Sequence, residues 1–346
     1  MKVMVKKYSY LVLLLFVLAI VFQSCDKKTG EGTGDNKGDT RNSDLIKKDE
    51  KGEKVSLKMI PKQGEKFNYK FKLDQQSSEK SALTKDEKIT SNQVMEMYYS
   101  QEVAEVNESG VAVYKIKYDS IKINYSISKP DSTISMNYNS NIKDSVYKMP
   151  DFITYNALIG KDFKVRVSPN GEVTHIFDLE KVFDFIFKEY GDTLKPQYKS
   201  MIKEEVEPQL KEILQSAFQM FPENEIYKDS SWTYTQKAQM GAFPSENALK
   251  YTITKIDNQP DGIIIGINAR LDFKILENTY KEKGVTFKLE DATGEGSGNI
   301  EFNISKGCIK KKDTTKSLKT KIKISQGSQS AASEKEDIVK VLLEMY

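Results

Sequence analysis

Residues suited to metal binding and nucleophilic catalysis are scarce in this sequence. Its 346 residues include one histidine, two cysteines and one tryptophan, with neither an HExxH motif nor a CxxC pair. Zinc sites and histidine-based catalysis need several such side chains at defined spacings. We therefore expect no metal site, no cofactor and no catalytic residue, and predict that the protein is not an enzyme.

An excess of charge of either sign is also missing. The sequence has 53 Lys and Arg against 50 Asp and Glu, for a formal net charge of +3. The surplus is Lys2, Lys6 and Lys7, which precede a run without acids, so the rest of the chain is balanced. A balanced chain has no field that attracts polyanions, and we expect no nucleic-acid partner.

Long apolar runs are absent apart from one near the amino terminus, residues 11–22. Twelve helical residues rise only about 18 Å, less than the roughly 30 Å hydrocarbon core of a bilayer. A basic start followed by a short apolar run is typical of a secretory signal. The sequence thus predicts export, with residues 1–24 as a signal peptide.

The residues that follow, Phe22-Gln23-Ser24-Cys25, resemble a bacterial lipobox, with Phe22 where leucine is usual and Gln23 where a small residue is typical. Looser lipoboxes of this kind occur in Bacteroidota lipoproteins. The resemblance implies that Cys25 carries diacylglycerol and palmitate and anchors the chain in the cell envelope, at the outer membrane. The alternatives are an ordinary secretory signal with an incidental cysteine, or a short uncleaved anchor.

Residues 25–54 have the composition of a flexible tether. From Asp26 to Lys54 there are five glycines, eight acidic and eight basic residues, and no aromatic. Such a stretch cannot bury enough apolar surface to offset its conformational entropy. We expect it to hold the folded body away from the membrane.

From residue 55 to 326, alternating apolar and polar residues predict a single β-rich domain. The run 263–275 alternates over 13 residues, which corresponds to a strand of about 43 Å. One apolar and one polar face indicate antiparallel sheet with a solvated back. Because strands this long must coil, we expect an α+β fold, mostly antiparallel β, with a strongly curved sheet or partial barrel.

Helical periodicity replaces this alternation in an insertion at residues 178–221. Apolar residues recur with helical spacing from Leu179 to Tyr190 and again from Tyr198 to Phe221, where Pro208 must kink or divide the pattern. We expect these two or three helices to pack on the apolar face of the sheet. Residues 327–346 are interpreted as a linker and a short C-terminal helix.

Smaller motifs have structural interpretations. We interpret His175 as a structural residue at a strand end, and Cys308 as a half-buried structural thiol. The run Gly294-Glu295-Gly296-Ser297-Gly298 lacks the ending of a phosphate loop and predicts a flexible hairpin. The lysines from 310 to 323 predict a solvated strand face or a contact with anionic headgroups.

Aromatic residues are frequent, with 18 tyrosines and 16 phenylalanines. A curved sheet lined by such side chains can enclose lipid or another apolar ligand. The candidate lining residues are Phe183, Phe187, Phe218, Ile265, Ile267, Leu271 and Phe273. The alternative is that the helical phenylalanines fill the concavity and leave a dry core.

Several short segments between about Pro61 and Ile324 resemble an uncharacterised Bacteroidota lipoprotein family known only as a domain of unknown function. These segments are Gly64-Glu65-Lys66-Phe67-Asn68-Tyr69, Leu158-Ile159-Gly160-Lys161-Asp162-Phe163, Pro169-Asn170-Gly171, Phe177 to Phe187, and Gly298-Asn299-Ile300. The family implies no activity and no site. The architecture also looks like the half-barrel carriers of lipoproteins and lipids.

Together these features predict a membrane-anchored, non-enzymatic lipoprotein that binds a hydrophobic or amphiphilic ligand in a curved-sheet cavity. An alternative is a cell-envelope interaction module that binds a protein or glycan partner. A hydrolase without a recognisable motif is the least favoured function.

Overall fold

The structure is a computed structural model that describes residues 45–82, 87–191, 195–240 and 242–346. Within these ranges the chain forms sixteen strands and three α-helices, and the strands pair antiparallel. The fold class is therefore α+β with mostly antiparallel β-structure, as the alternation predicts. The predicted signal peptide, Cys25 and residues 26–44 lie outside the described residues.

Three short strands, β1 (Ile46–Asp49), β2 (Gly52–Val55) and β9 (Ile226–Tyr227), form a small sheet in the order β1-β2-β9. Lys54 Nζ lies 3.0 Å from Glu225 Oε2. The prediction that the tether extends to residue 54 is therefore wrong for its last ten residues. These residues are too polar to form a hydrophobic core of their own, but they can form a β-hairpin that pairs with another strand of the folded domain.

The other thirteen strands form one large sheet. They are β3 (Lys66–Ser81), β4 (Lys88–Val106), β5 (Ala112–Lys129), β6 (Ser132–Asn139), β7 (Asp162–Val167), β8 (Val173–Phe177), β10 (Ser231–Met240), β11 (Phe243–Gln259), β12 (Gly262–Ile275), β13 (Thr279–Glu282), β14 (Val285–Asn303), β15 (Cys308–Gln326) and β16 (Gln329–Met345). The order across the sheet is β10-β11-β12-β14-β15-β16-β3-β4-β5-β7-β8, with β13 beside β14 and β6 beside β5. Each half is mostly a series of hairpins, and β16 joins the halves.

The prediction of a C-terminal helix is wrong, because residues 329–345 form the central strand β16. Its neighbours are β15 and β3, one from each half of the sheet. The segment carries a capping-box pattern, Ser333 with Glu336, which is the basis of the helix prediction. It also carries the alternating residues Val339, Val341 and Leu343, all of which are buried. Hydrogen bonds to strands on both sides favour the second pattern, since a short helix would leave both partner strands unpaired.

The helical insertion is confirmed, with α2 at Glu180–Tyr190 and α3 at Pro196–Ala217. Pro208 lies inside α3, so the helix is not divided there. A short additional helix, α1 (Ile153–Leu158), follows a 3₁₀ turn at Pro150–Phe152. It was not predicted, because one and a half turns are too few to show a helical period.

One face of the large sheet, here called the inner face, carries the core. On β3 the buried residues Phe67, Tyr69, Phe71 and Leu73 alternate with more exposed neighbours. The helical segment packs on this face, where the ring of Phe218 lies 5.1 Å from the ring of Tyr114 on β5. Both the alternation and the destination of the helices agree with the sequence prediction.

The glycine-rich run 294–298 is not a hairpin as predicted, because it lies within strand β14. Gly294, Gly296 and Gly298 occupy alternate positions, so they share the inner face. A Cβ atom at Gly298 would lie 2.5 Å from Thr314 Cγ2 and 2.7 Å from the backbone oxygen of Asp313 on β15. Glycine is therefore required here by the close approach of the neighbouring strand.

Contacts between distant turns show that the large sheet is strongly curved. The β4–β5 turn and the β14–β15 turn are separated by four strand spacings, which would be about 19 Å in a flat sheet. Both turns nevertheless contact Ile60. A Cβ atom at Gly307 would lie 2.7 Å from the Ile60 backbone, and one at Gly110 would lie 3.2 Å from Ile60 Cδ1. Met59 N also donates to Pro169 O, in the β7–β8 turn, at 2.7 Å.

Candidate functional site: the inner face of the sheet

The inner face is closed at the end where these turns meet, here called the turn end. The seven residues 215–221, here called the plug segment, lie there at the end of α3. Phe221 N donates to Asn170 O at 2.8 Å, and the Phe221 ring lies 4.5 Å from the ring of Phe302 on β14. The plug segment thus connects the β7–β8 turn with a strand in the opposite half of the sheet.

A buried glutamine fixes the plug segment to β8. Gln215 Oε1 accepts a hydrogen bond from Val173 N at 2.8 Å, and Gln215 Nε2 donates to Gly171 O at 3.0 Å. A buried side-chain amide with both ends paired is stable in a core and specifies a single position. The turn end is therefore filled by protein side chains that are held in place.

A buried lysine completes the contacts of the plug segment. Lys312, on the inner face of β15, is 3% exposed, and its Nζ donates to Ser216 O at 3.2 Å. Burial lowers the pKa of Lys312 to about 8. A basic side chain at this depth raises the free energy of the folded state unless it is compensated.

Strand register arranges the inner-face side chains in rows that cross the sheet. One row consists of Thr314, Val341, Leu73, Met95 and Ile123 on β15, β16, β3, β4 and β5. All five of these side chains are buried. Four of the five are apolar, and this row, here called the apolar row, lies next to the filled turn end.

Two residues further along each strand the chemistry changes. The next row, here called the polar row, consists of Lys316, Val339, Gln75, Gln93 and Tyr125 on the same five strands. Burial lowers the pKa of Lys316 to about 8, and the nearby Asp337 carboxylate opposes this shift. Burial also raises the pKa of Tyr125. Cationic and amide groups thus lie about 7 Å from a buried row in which Thr314 is the one polar residue.

Several polar atoms in and beyond this row are buried without a hydrogen-bond partner among the described residues. In these rows they are Gln75 Oε1, Gln93 Nε2, Gln236 Oε1, Asn247 Oδ1 and Asp337 Oδ1, and nearer the turn end Gln101 Nε2 and the hydroxyl groups of Tyr99 and Tyr114 also have none. Gln75 pairs directly with Gln93 across β3 and β4, and Gln236 with Asn247 across β10 and β11. A buried polar atom without a partner is costly, so such atoms mark places where water or a ligand completes the site.

Exposure increases along the strands from the turn end to the other end, here called the open end. On β16 the relative exposure is 0% at Leu343, 3% at Val341 and 8% at Val339. The side chains of Asp337 and Lys335, further along, are 13% and 45% exposed. The polar row therefore lies at the boundary between the filled part of the inner face and solvent.

Apolar side chains continue beyond the polar row and are only partly covered. Phe273, Phe287, Ile322 and Ile324 are half-buried on the inner face. Ile134 on β6 is 67% exposed. This surface is not filled by the plug segment, and it differs in that respect from the turn end.

Four of the predicted cavity residues share the inner face of β12. Ile265, Ile267 and Leu271 are buried, and Phe273 is half-buried. They cover the distance from the filled turn end to the open end, because Ile267 pairs with Ile300 of β14 and Leu271 with Gly296.

The other three predicted residues lie on or after the helices. Phe218 belongs to the plug segment and packs on Tyr114. Phe183 and Phe187 on α2 stack on each other with ring centroids 5.9 Å apart, and Lys199 Nζ lies 5.2 Å from the Phe187 ring. Phe218 thus fills the concavity in the way that the dry-core alternative describes, whereas Phe273 belongs to the open end.

Sequence reasoning missed Lys312 and Lys316, which were predicted to be part of a solvated strand face. The sequence does indicate their position, because both have even numbers, like Leu318 and Ile322, and the even-numbered residues of this strand lie on the inner face. The prediction of a solvated face holds for the odd-numbered residues of β15, among which Lys319 and Lys323 are exposed. Runs of lysine were assigned to solvent as a group, although a strand divides them between two faces.

Cys308 and His175 lie away from the polar row. Cys308 is 2% exposed, more than the half-burial predicted, and burial raises the pKa of its thiol to about 12. His175 is exposed on β8, within the strand and not at its end. A thiol with a raised pKa is a weak nucleophile, which agrees with the structural interpretation of Cys308.

Two further observations concern only the described residues. No group of three or more His, Cys, Asp or Glu side chains is placed there to hold a metal ion. No helix in these ranges is both long and apolar enough to cross a bilayer.

The fold and site define a class of protein: a large, curved antiparallel sheet with a helical segment packed into its concave face. The chain belongs to DUF6263, a family of unknown function, whose model matches residues 109–309. This range lies inside the segment that resembled an uncharacterised family. No curated protein matches the sequence.

Solved structures with a similar course of strands share little sequence with the chain. A structure of lipid–protein interactions in lipovitellin is 9% identical, with a TM-score of 0.42 over 82% of this chain and 25% of that chain. OccK7 (OpdD) of Pseudomonas aeruginosa is 7% identical, with a TM-score of 0.24 over 82% of this chain and 99% of that chain. The transport unit of the Escherichia coli autotransporter AIDA-I is 7% identical, with a TM-score of 0.21 over 81% of this chain and 90% of that chain. The chain spans a quarter of the lipovitellin chain, and similarities at these scores carry no argument about function.

Proposed function

We propose that the protein is a non-enzymatic binding protein that holds an amphiphilic ligand at the open end of the inner face. The observation that carries this proposal is the polar row, where Lys316, Gln75 and Gln93 lie beside an apolar row. A molecule with a polar head and an apolar chain matches both parts of this surface. The half-buried residues Phe273, Phe287, Ile322 and Ile324 provide the surface for the apolar chain.

Burial supports the assignment of the ligand to the open end. Gln93 is 5% exposed and its Nε2 atom has no partner among the described residues. An amide group left in this condition costs about 1–3 kcal/mol, so a ligand that accepts a hydrogen bond there recovers part of that cost. The turn end also contains unpartnered atoms, Gln101 Nε2 and the Tyr114 hydroxyl group, but it is filled by the plug segment, where Phe218 packs on the Tyr114 ring, whereas the open end is not filled in this way.

The direct test is to identify what the protein carries. The full chain with Cys25→Ser, which removes the acylation site, is purified without detergent and extracted with organic solvent for lipid mass spectrometry. We expect an amphiphile in a fixed ratio close to one per chain. A protein that carries no lipid, or one that co-purifies with a stoichiometric protein or glycan instead, contradicts the proposal, and the second result favours the interaction-module alternative.

We also propose that acylated Cys25 anchors the protein in the bacterial cell envelope, at the outer membrane. This is supported by the lipobox-like sequence Phe22-Gln23-Ser24-Cys25 and by the polar residues that follow it. Cells grown with labelled palmitate should incorporate the label into the wild-type chain and not into Cys25→Ser. Cys308→Ser is the matched control, since it is the only other cysteine, and label lost from that variant would contradict the anchor.

A further inference from the structure

We propose that the ligand's head group combines one acid group with an N–H or O–H donor, the acid binding Lys316 and the donor binding Asp337. This inference rests on the proposed function and adds the chemical class of the ligand. It follows from which groups of the open end lack a partner and from where the register places them.

Lys316 is a cation without its own counter-ion. It lies on the inner face of β15, directly opposite Val339 and Gly296, so its strand neighbours offer no charge. Among the described residues no carboxylate lies within 4.0 Å of its Nζ, although Asp337 is near enough to affect its titration. The lowered pKa of about 8 still leaves Lys316 mostly protonated at neutral pH. A half-buried ammonium group in this condition favours an anionic ligand group.

Asp337 lies in the next row, and its two oxygens are in different situations. Oδ2 lies 3.0 Å from Lys335 Nζ, whereas Oδ1 is buried and has no partner. The free oxygen can accept a hydrogen bond from a ligand. The same carboxylate repels a second negative charge, so a head group with one acid and a donor fits better than a polyanion.

The two glutamines of the polar row extend this arrangement across β3 and β4. Gln75 and Gln93 face each other directly, and each has an unpartnered amide atom, Oε1 of Gln75 and Nε2 of Gln93. A side-chain amide can turn to present either its oxygen or its nitrogen. The row therefore supplies both donors and acceptors next to the cation, which matches a head group that itself has both.

The test compares three probes against the full chain carrying Cys25→Ser, by isothermal titration below the critical micelle concentration. Lysophosphatidylethanolamine has a phosphate, an ammonium group and a hydroxyl group. Monoacylglycerol with the same chain has hydroxyl groups and no acid, and inorganic phosphate has no chain. We expect lysophosphatidylethanolamine to bind at least about tenfold more tightly than either, the effect of one charge-assisted hydrogen bond.

Variants then assign the effect to residues. Lys316→Met should lower the affinity for lysophosphatidylethanolamine about tenfold and leave that for monoacylglycerol unchanged. Lys316→Arg should retain most of the affinity. Lys323→Met is the matched control on the outer face of the same strand and should change nothing. Far-ultraviolet circular dichroism and thermal unfolding establish that each variant is folded.

Each other outcome overturns the inference in a distinguishable way. Equal binding of both amphiphiles, unaffected by Lys316→Met, excludes the acid group while the proposed function stands. Binding of inorganic phosphate as tight as that of the amphiphile means that the site takes a free anion and no lipid headgroup. Failure of both amphiphiles to bind removes the proposed function together with the inference.

Discussion

The two ends of the inner face are built from the same strands and yet have opposite properties. At the turn end, Phe302 is 0% exposed and every polar atom of Gln215 has a partner. At the open end, Phe273 is half-buried and Gln93 has an unpartnered amide. The first arrangement is that of a packed core, whereas the second leaves apolar side chains and an amide group near solvent, so the two ends differ in how completely the plug segment covers them.

The largest effect should come from truncating an aromatic side chain at the turn end. Phe302→Ala removes a ring packed against Phe221, and we expect a loss of about 3–5 kcal/mol in the free energy of unfolding. Phe273→Ala at the open end should cost much less, since that ring is already half-solvated. Urea unfolding of both variants measures the contrast, and equal losses would mean that the two ends do not differ in packing.

Gly298→Ala should cause the next largest loss in the free energy of unfolding. The added methyl group would meet Thr314 Cγ2 and Asp313 O of β15, and overpacking of this kind costs about 1–3 kcal/mol. Gly294→Ala is the matched control, because its nearest neighbours are the side chains of Phe273 and Leu318, which lie toward the open end and can move. A similar loss at both positions would argue against a filled turn end and an adaptable open end.

The buried lysines predict how stability depends on pH. The pKa values of Lys312 and Lys316 are about 8 in the folded protein and 10.5 in the reference state. The unfolded chain therefore binds more protons between these values, and the free energy of unfolding should rise with pH from about 8, by up to about 1.4 kcal/mol per pH unit for each lysine. Above about pH 10 the buried tyrosines reverse this trend, because burial raises the pKa of Tyr69, Tyr114 and Tyr118.

Thermal unfolding between pH 7 and 11 checks this sign, and Lys312→Met isolates one contribution. The variant should be about 1–2 kcal/mol more stable than the wild type at pH 7 and show a smaller rise toward pH 10. Lys319→Met is the control, because its exposed ion pair with Glu336 contributes little. A wild-type stability that falls from pH 8 to 10 would mean that Lys312 is not desolvated.

The smallest change in stability should follow Gln93→Leu at the open end. The substitution removes an amide nitrogen that has no partner among the described residues, so the free energy of unfolding should change by no more than about 1 kcal/mol. Gln215→Leu at the turn end is the matched comparison and should cost more, because the hydrogen bonds to Val173 of β8 and to Gly171 in the β7–β8 turn are lost. Chemical denaturation of both variants decides whether the two glutamines differ as proposed.

Much of the sheet could be predicted from the sequence, because period-two alternation is a local property of a strand. Phe67 to Leu73 on β3 and Ile263 to Ile275 on β12 show it directly. The prediction failed at Val339 to Leu343, where the residues fit both a helical and a strand pattern. It also failed where an element was assigned from the type of residue and not from its position in the alternation. Gly294 to Gly298 were assigned to a hairpin for their flexibility and Lys312 and Lys316 to solvent for their charge, yet their strand neighbours decide both.

The candidate site could be predicted only in its general character, as aromatic and aliphatic side chains on a curved sheet. Phe218 and Phe273 have the same chemistry and were placed in one cavity. Phe218 instead follows the end of α3 and fills the turn end, whereas Phe273 lies toward the open end. The sequence places Phe218 in the helical insertion and Phe273 in a strand, but it does not show which end of the inner face each one occupies, because that depends on where the plug segment packs.

The sequence by itself determined which face of each strand is apolar, where the helical insertion lies, and that it contains neither an HExxH motif nor a CxxC pair. Only the tertiary structure decided that β16 joins the first strands to the last, that one end of the inner face is filled, and that Lys312 is enclosed with the core while Lys316 is half-buried beside it. The physical reason is that alternation along a strand assigns a side chain to a face. Which strand lies beside it, and how far it is from solvent, follow from contacts between residues that are distant in the chain.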